Sequence, residues 1–270
     1  MSRYTKASDN FNRADEAITA SGDWTAIAFG DPDGEPEIIS NVVTQAATNS
    51  GYDRYLRWDS DTFADDQWAE IDVTISDTSI TDQASAAVRM PGSGHDSSYA
   101  LADAYLGVWD NNGGGSNGRL RIVKVVNDSF TALATTTSIA QTGTKTLRLE
   151  VVGMTLTLYV DDVSTLTYSE AWEYTTGRPG MHMWTTATPA VSADNWSAGD
   201  WVLPAPQNLV LDYKDADQID MSWDAVSGAT GYDVRRDGTI IATNVATTSY
   251  SDTGLAAATE YTHEVRARKV

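Results

Sequence analysis

The chain contains no cysteine, which excludes disulfide staples and thiolate metal sites. Histidine is nearly as scarce. His95, His182 and His263 are the only ones, so a zinc site or a histidine-dependent nucleophile has little to draw on. Lysine is confined to Lys6, Lys124, Lys145, Lys214 and Lys269, and 18 basic against 38 acidic residues leave a formal charge of −20. A nucleic-acid partner needs a Lys/Arg face that displaces counterions, so nucleic acid is excluded, and an anionic membrane surface is disfavoured on the same ground. No apolar run reaches membrane-spanning length, so membrane insertion is not expected. The opening Met1-Ser-Arg-Tyr-Thr-Lys-Ala-Ser-Asp9 lacks the apolar core of a secretory signal peptide. The expectation is a chain made in a cytoplasm that leaves it, if at all, outside the general secretory route. Helical periodicity is missing too; Asn12–Ala20 comes nearest and is short.

What is present reads as strands. Tyr55–Trp58, Gln67–Ile75, Ala84–Arg89, Ala100–Trp109, Gly118–Val126 and Leu147–Val152 are rich in apolar residues, several of them alternating with polar ones. Gly153 allows a turn into the alternating Leu156, Leu158 and Val160, and Asp161-Asp162 follow. Residues 111–118, Asn-Asn-Gly-Gly-Gly-Ser-Asn-Gly, form a polar loop between two strands. Leu203-Pro-Ala-Pro206 marks a boundary, because prolines cannot continue a ladder. Beyond it Ile219, Met221 and Trp223 alternate with polar neighbours, Asp237-Gly238 makes a tight turn, and Tyr261, His263, Val265 and Ala267 alternate again. The chain is therefore all-β. Its expected divisions are an N-terminal arm over 1–8, a large domain over 9–202, a linker over 203–206 and a small domain over 207–270.

The small domain resembles a fibronectin type III domain through Ile219–Trp223, Gly231-Tyr-Asp-Val234 and the approach Leu255-Ala-Ala-Ala-Thr-Glu-Tyr261 to a tyrosine corner. Ala257 and Ala258 stand where that family usually has Pro and Gly. The family continues into a further strand after the one ending near Ala267, so the resemblance implies a sandwich lacking its last strand. The large domain more loosely resembles a concanavalin A-like, laminin G-like jelly roll. Asp9-Asn-Phe-Asn-Arg13, Asp23-Trp24, Leu147–Asp162, Gly177-Arg-Pro-Gly180 and Asp194-Asn-Trp-Ser-Ala-Gly-Asp200 carry that likeness. Such modules are common among tailed-phage structural proteins and as appendages of carbohydrate-active enzymes. The resemblance implies a non-enzymatic protein on a virion surface: a capsid decoration, head fibre or tail-associated adhesin. The alternative is a bacterial carbohydrate-binding module or lectin.

The candidate chemistry is sparse. Glucanases of the jelly-roll kind carry three carboxylates on alternate positions of one strand. Here Glu70 and Asp72 supply two, but the third position falls on Thr74 or Ile75, so no catalytic residue is assigned. Sugar binding needs an aromatic face beside amides and carboxylates. Trp109, Asp110, Asn111 and Asn112 at a loop mouth fit that description, as does Tyr52-Asp53-Arg54-Tyr55. No cofactor is expected. Calcium is the one ion the oxygen-rich loops suit, with Asp9 and Asp194 placed to meet if the first and last strands of the jelly roll pair. Asp31–Glu37 fails the EF-hand spacing. Unpaired backbone along Tyr261, His263, Val265, Arg266 and Arg268 is the candidate edge for a partner strand. The expected partners are further copies of the chain, a trimer among the options, with other virion proteins and a cell-surface glycan.

Overall fold

The computed structural model describes residues 1–27, 36–44, 53–78, 82–91, 103–111, 117–127, 129–169, 175–184 and 190–268. Contacts divide the chain into two compact units, Tyr4–Trp201 and Val202–Val270 with Met1–Arg3. In the first run β1 (Ser2–Asp9), β2 (Glu16–Ala17), a 3-10 turn (Ile18–Ser21), β3 (Trp24–Ile27), β4 (Glu37–Ile39), β5 (Val42–Thr44), β6 (Arg54–Trp58), β7 (Gln67–Ile75) and β8 (Gln83–Met90). There follow β9 (Ala104–Asp110), β10 (Gly118–Val126), β11 (Ser129–Ile139), β12 (Gly143–Val152), β13 (Thr155–Val160), β14 (Val163–Ser169), β15 (Arg178–Trp184) and β16 (Val191–Val202). The segment expected as an N-terminal arm is largely strand β1, hydrogen-bonded to β16. The window nearest to helical holds only the 3-10 turn and β2.

These strands form a jelly-roll sandwich. One sheet has the order β14-β13-β12-β7-β16-β5-β4-β2, with β1 joined to β16; the other has the order β11-β10-β9-β8-β15-β6-β3. Period-2 alternation decides what lies between them. On β7, Ala69, Ile71, Val73 and Ile75 are buried while Glu70, Asp72 and Thr74 point away. Trp24, Trp58 and Trp196 close one part of the core. Trp58 and Trp196 stack at 5.3 Å, and Trp24 meets Trp196 edge-on at 4.6 Å. The turns follow the expected chemistry. Gly153 (φ 57°) links β12 to β13, and Asp161 and Asp162 (φ 49° and 64°) make the left-handed pair linking β13 to β14.

The seven-stranded sheet is covered on both faces. Its inner residues, such as Ala86, Tyr105, Trp109 and Ile122, belong to the main core. Its outer face carries a second buried cluster that includes Ile27, Tyr55, Ala87, Leu106, Val108 and Val123. This second face holds the candidate site.

The smaller unit comprises β17 (Val210–Lys214), β18 (Gln218–Ser222), β19 (Gly231–Arg236), β20 (Thr239–Val245), β21 (Ser249–Thr253) and β22 (His263–Arg268). Two three-stranded sheets, β17-β18-β21 and β20-β19-β22, pack around Ile219, Met221, Trp223, Tyr232, Val234, Leu255 and Ala267. Asp237 and Gly238 (φ 51° and 77°) turn β19 into β20. The Tyr261 hydroxyl accepts the Ala256 N–H at 3.0 Å. Asp252 on β21 bonds His263 Nε2 at 2.8 Å and Arg236 at 3.0 Å, which fastens one sheet to the other.

Candidate functional site

Cross-strand register builds the outer face of the seven-stranded sheet. Ile27 on β3 pairs with Tyr55, Tyr55 with His182 on β15, His182 with Ser85 on β8, and Ser85 with Val108 on β9. Residues directly opposite in an antiparallel pair point to the same side, so this row forms one line across the sheet. Asp53 stands immediately before β6.

His182 is the hub. Its Nε2 lies 2.7 Å from Asp53 Oδ1 and its Nδ1 lies 3.1 Å from the Ser85 hydroxyl. A neutral imidazole that donates from Nε2 to Asp53 accepts the Ser85 hydroxyl proton at Nδ1. The ring packs against Tyr55 at 4.6 Å and Phe130 at 5.9 Å. His182 and Ser85 are fully buried, whereas the Asp53 side chain is 30% exposed and Phe130 is 38% exposed. The outer end of the line thus offers solvent a carboxylate and an aromatic ring. Serine, histidine and aspartate in series are the residue types of a nucleophilic array, but the Ser85 hydroxyl is sealed from solvent. The arrangement fixes Asp53 in place and gives Ser85 no route to a substrate.

One row further on, Arg57 grips Asp59 with Nε and Nη2 at 2.7 and 2.9 Å and donates to the Pro91 carbonyl at 2.6 Å. Arg178 reaches the same carboxylate at 2.6 Å. Burial pushes the Asp59 carboxyl up, but hydrogen bonds from Arg57, Thr25 and Arg178 outweigh it and hold it well below the usual carboxylate range. This ion cluster stiffens the margin beside the His182 line.

The residues expected at the loop mouth play other parts. Trp109 shares the core-facing side of β9 with Tyr105, is fully buried, and donates Nε1 to the Ala140 carbonyl at 3.0 Å. Asp110 is buried between Arg119 and Arg121, each at 2.9 Å. Asn111 is buried, accepts the Asp82 N–H at 3.0 Å and donates to the Asp77 carbonyl at 2.7 Å. A sugar finds no ring face on Trp109, so the expected site at Trp109, Asp110 and Asn111 is corrected to a structural corner. Asn112 and His95 lie outside the described residues, as do residues 31–35 of the Asp31–Glu37 loop. Of the second sugar candidate, Asp53 and Tyr55 belong to the His182 line, and Tyr52 lies outside the described residues.

Glu70 and Asp72 face away from the core on the nine-stranded sheet. Arg148 bonds Glu70 at 2.9 Å and Glu150 at 2.7 Å, bonds Asp162 as well, and lies 4.2 Å over the Tyr159 ring. Asp72 accepts from Thr146 at 2.6 Å and from Asn195 at 3.0 Å. Both carboxylates are committed to neighbours rather than aimed together at a bond. Asp9 and Asp194 do approach across β1 and β16. Burial, with the charges of Asp72 and Asp9, pushes the Asp194 carboxyl up. Asp9 itself caps the Phe11 N–H, Arg13 and the Trp24 indole. Among the described residues no group of three or more acidic or histidine side chains is set to hold a metal. At the candidate partner edge, Tyr261 precedes the strand, and His263, Val265, Arg266 and Arg268 lie on β22.

No family model matches the chain. Among curated proteins it is 37% identical over 92 residues to an alpha-amylase from Niallia circulans, covering 33% of this chain and 6% of that protein. It is 44% identical over 66 residues to a poly(3-hydroxybutyrate) depolymerase from Delftia acidovorans, covering 24% of this chain and 13% of that protein. The likeness to these relatives is thus confined to a small part of their length. Among solved structures, the carbohydrate recognition domain of Emp47p superposes with a TM-score of 0.51 at 13% identity, over 73% of this chain and 97% of that domain. The carbohydrate-binding module CBM66 from Bacillus subtilis gives 0.49 at 18% identity, over 66% and 96%. At 13% identity the likeness to the Emp47p domain speaks for the jelly-roll fold alone.

Proposed function

We propose that the chain is a non-catalytic glycan-binding protein that uses the outer face of the seven-stranded sheet around Asp53 and Phe130. The carrying observation is the His182 line. It holds a part-exposed carboxylate and a part-exposed ring against the same imidazole, the residue types that orient sugar hydroxyls and stack on a sugar face. Carbohydrate-recognition and carbohydrate-binding domains among the structures of like fold fit this reading. So do Glu70 and Asp72, since their ion pair and hydrogen bonds leave neither of these two poised to protonate a leaving group. With a formal charge of −20, the ligand expected is a neutral polysaccharide rather than an anionic one. The fibronectin-like reading of the smaller unit draws support from the Tyr261 hydroxyl bond and the two three-stranded sheets, and makes that unit a spacer or assembly module. A virion surface is one location for such a protein, and immunogold labelling of purified particles would test it.

The test is a glycan array followed by titration calorimetry with the strongest neutral binder. Asp53→Asn and Phe130→Ala should each weaken binding by about tenfold, or about 1.4 kcal/mol. Binding to no glycan, or binding indifferent to both substitutions, would sink the proposal.

A further inference from the structure

The smaller unit has one open flank. β20 and β21 lie in different sheets but are joined only by residues 246–248, so those two edges adjoin. The other two edges, β17 and β22, therefore share the opposite flank. On β17, Leu211 pairs with the core residue Met221 and so points inward, yet it is 62% exposed. A leucine turned toward a core and still in solvent means that nothing among the described residues closes the sandwich there.

β22 borders the same opening. The Arg268 carbonyl accepts the Thr230 N–H, and the Thr262 carbonyl accepts the Asp237 N–H. In an antiparallel strand, N–H and C=O of one residue point the same way and alternate along the chain. The even-numbered residues of β22 therefore face β19, and the backbone groups of His263, Val265 and Ala267 face outward. Among the described residues no strand pairs with them. The exposed side chains along this edge are Glu264, Arg266 and Arg268.

We propose that a second copy of the chain pairs with this edge, β22 against β22 in antiparallel register about a two-fold axis through Val265. Three features of the strand are self-complementary in that register. His263 lies opposite the partner's Ala267, and Val265 lies opposite its own copy, so all the outward backbone groups exchange hydrogen bonds. The two-fold places Glu264 opposite Arg266 on both sides of the axis, where opposite charges attract. The inward row, Val265 and Ala267, is apolar apart from His263, and a strand laid there covers the flank where Leu211 is bare. Each sheet β20-β19-β22 then continues into its copy, and an isologous contact of this kind closes at two subunits rather than three.

Sedimentation equilibrium of the whole chain across a concentration series tests this, with hydrogen exchange read at His263, Val265 and Ala267. A dimer is expected, with those amides protected only at concentrations where it forms. Arg266→Glu or Glu264→Arg, each at an exposed position, should weaken dimerisation by about tenfold, and the double charge swap should restore it. Four outcomes would overturn the proposal. They are a monomer at all concentrations, a trimer, a dimer indifferent to the single substitutions, and amides at 263, 265 and 267 protected in a monomer. The last would mean that a different strand covers the edge.

Discussion

Single buried polar residues carry much of the fold's specificity, and their removal has calculable consequences. Asp252 is buried between the buried His263 ring and the part-exposed Arg236 guanidinium, so Asp252→Asn removes the charge that both of them face. The expected loss is about 1.5 kcal/mol in chemical denaturation of the smaller unit, and an unchanged midpoint would contradict that role. Asp59 gives the pH dependence. Its carboxyl is held below its unfolded value, so its contribution is fully present above the usual carboxylate range. That contribution is lost only as pH falls through the lower folded value. Asp59→Asn should accordingly lower stability at neutral pH and flatten its decline on acidification, read by thermal melts across the acid range.

At the level of elements, glycines mark where strands come closest. A Cβ on Gly199 would lie 1.8 Å from the Tyr4 carbonyl oxygen, so Gly199→Ala must push β1 from β16. Faster amide exchange along β1 is expected, with the other strands of the nine-stranded sheet little changed. Elements with strong alternation, β7, β12 and β13, were legible in the residues because one face is apolar and the other polar. β11 was not: Ser129–Ile139 is largely threonine and alanine on an exposed edge, so Phe130 drew no notice. Trp109 misled because a glycine-rich stretch follows it, and because β9 is apolar on both faces, so alternation alone does not say which face meets the main core. His182 lies 97 residues from Ser85 and 129 from Asp53. Only sheet register brings them together, and no local spacing encodes that.

For the whole molecule, the formal charge of −20 produces self-repulsion that salt screens. Screening of its self-repulsion should raise the melting temperature as salt rises from about 0.01 M to 0.5 M, where the Debye length falls severalfold. The proposed glycan face and the proposed self-pairing edge lie in different units, so substitutions on β22 leave the His182 line untouched in sequence and in sheet and the two proposals are tested separately. Calorimetric titration of a neutral polysaccharide into the Phe130→Ala and Asp53→Asn variants probes the proposed binding face itself. Folded variants are expected, shown by unchanged near-ultraviolet circular dichroism, with about tenfold weaker binding. Full-strength binding by both would place the glycan elsewhere and contradict the proposed face.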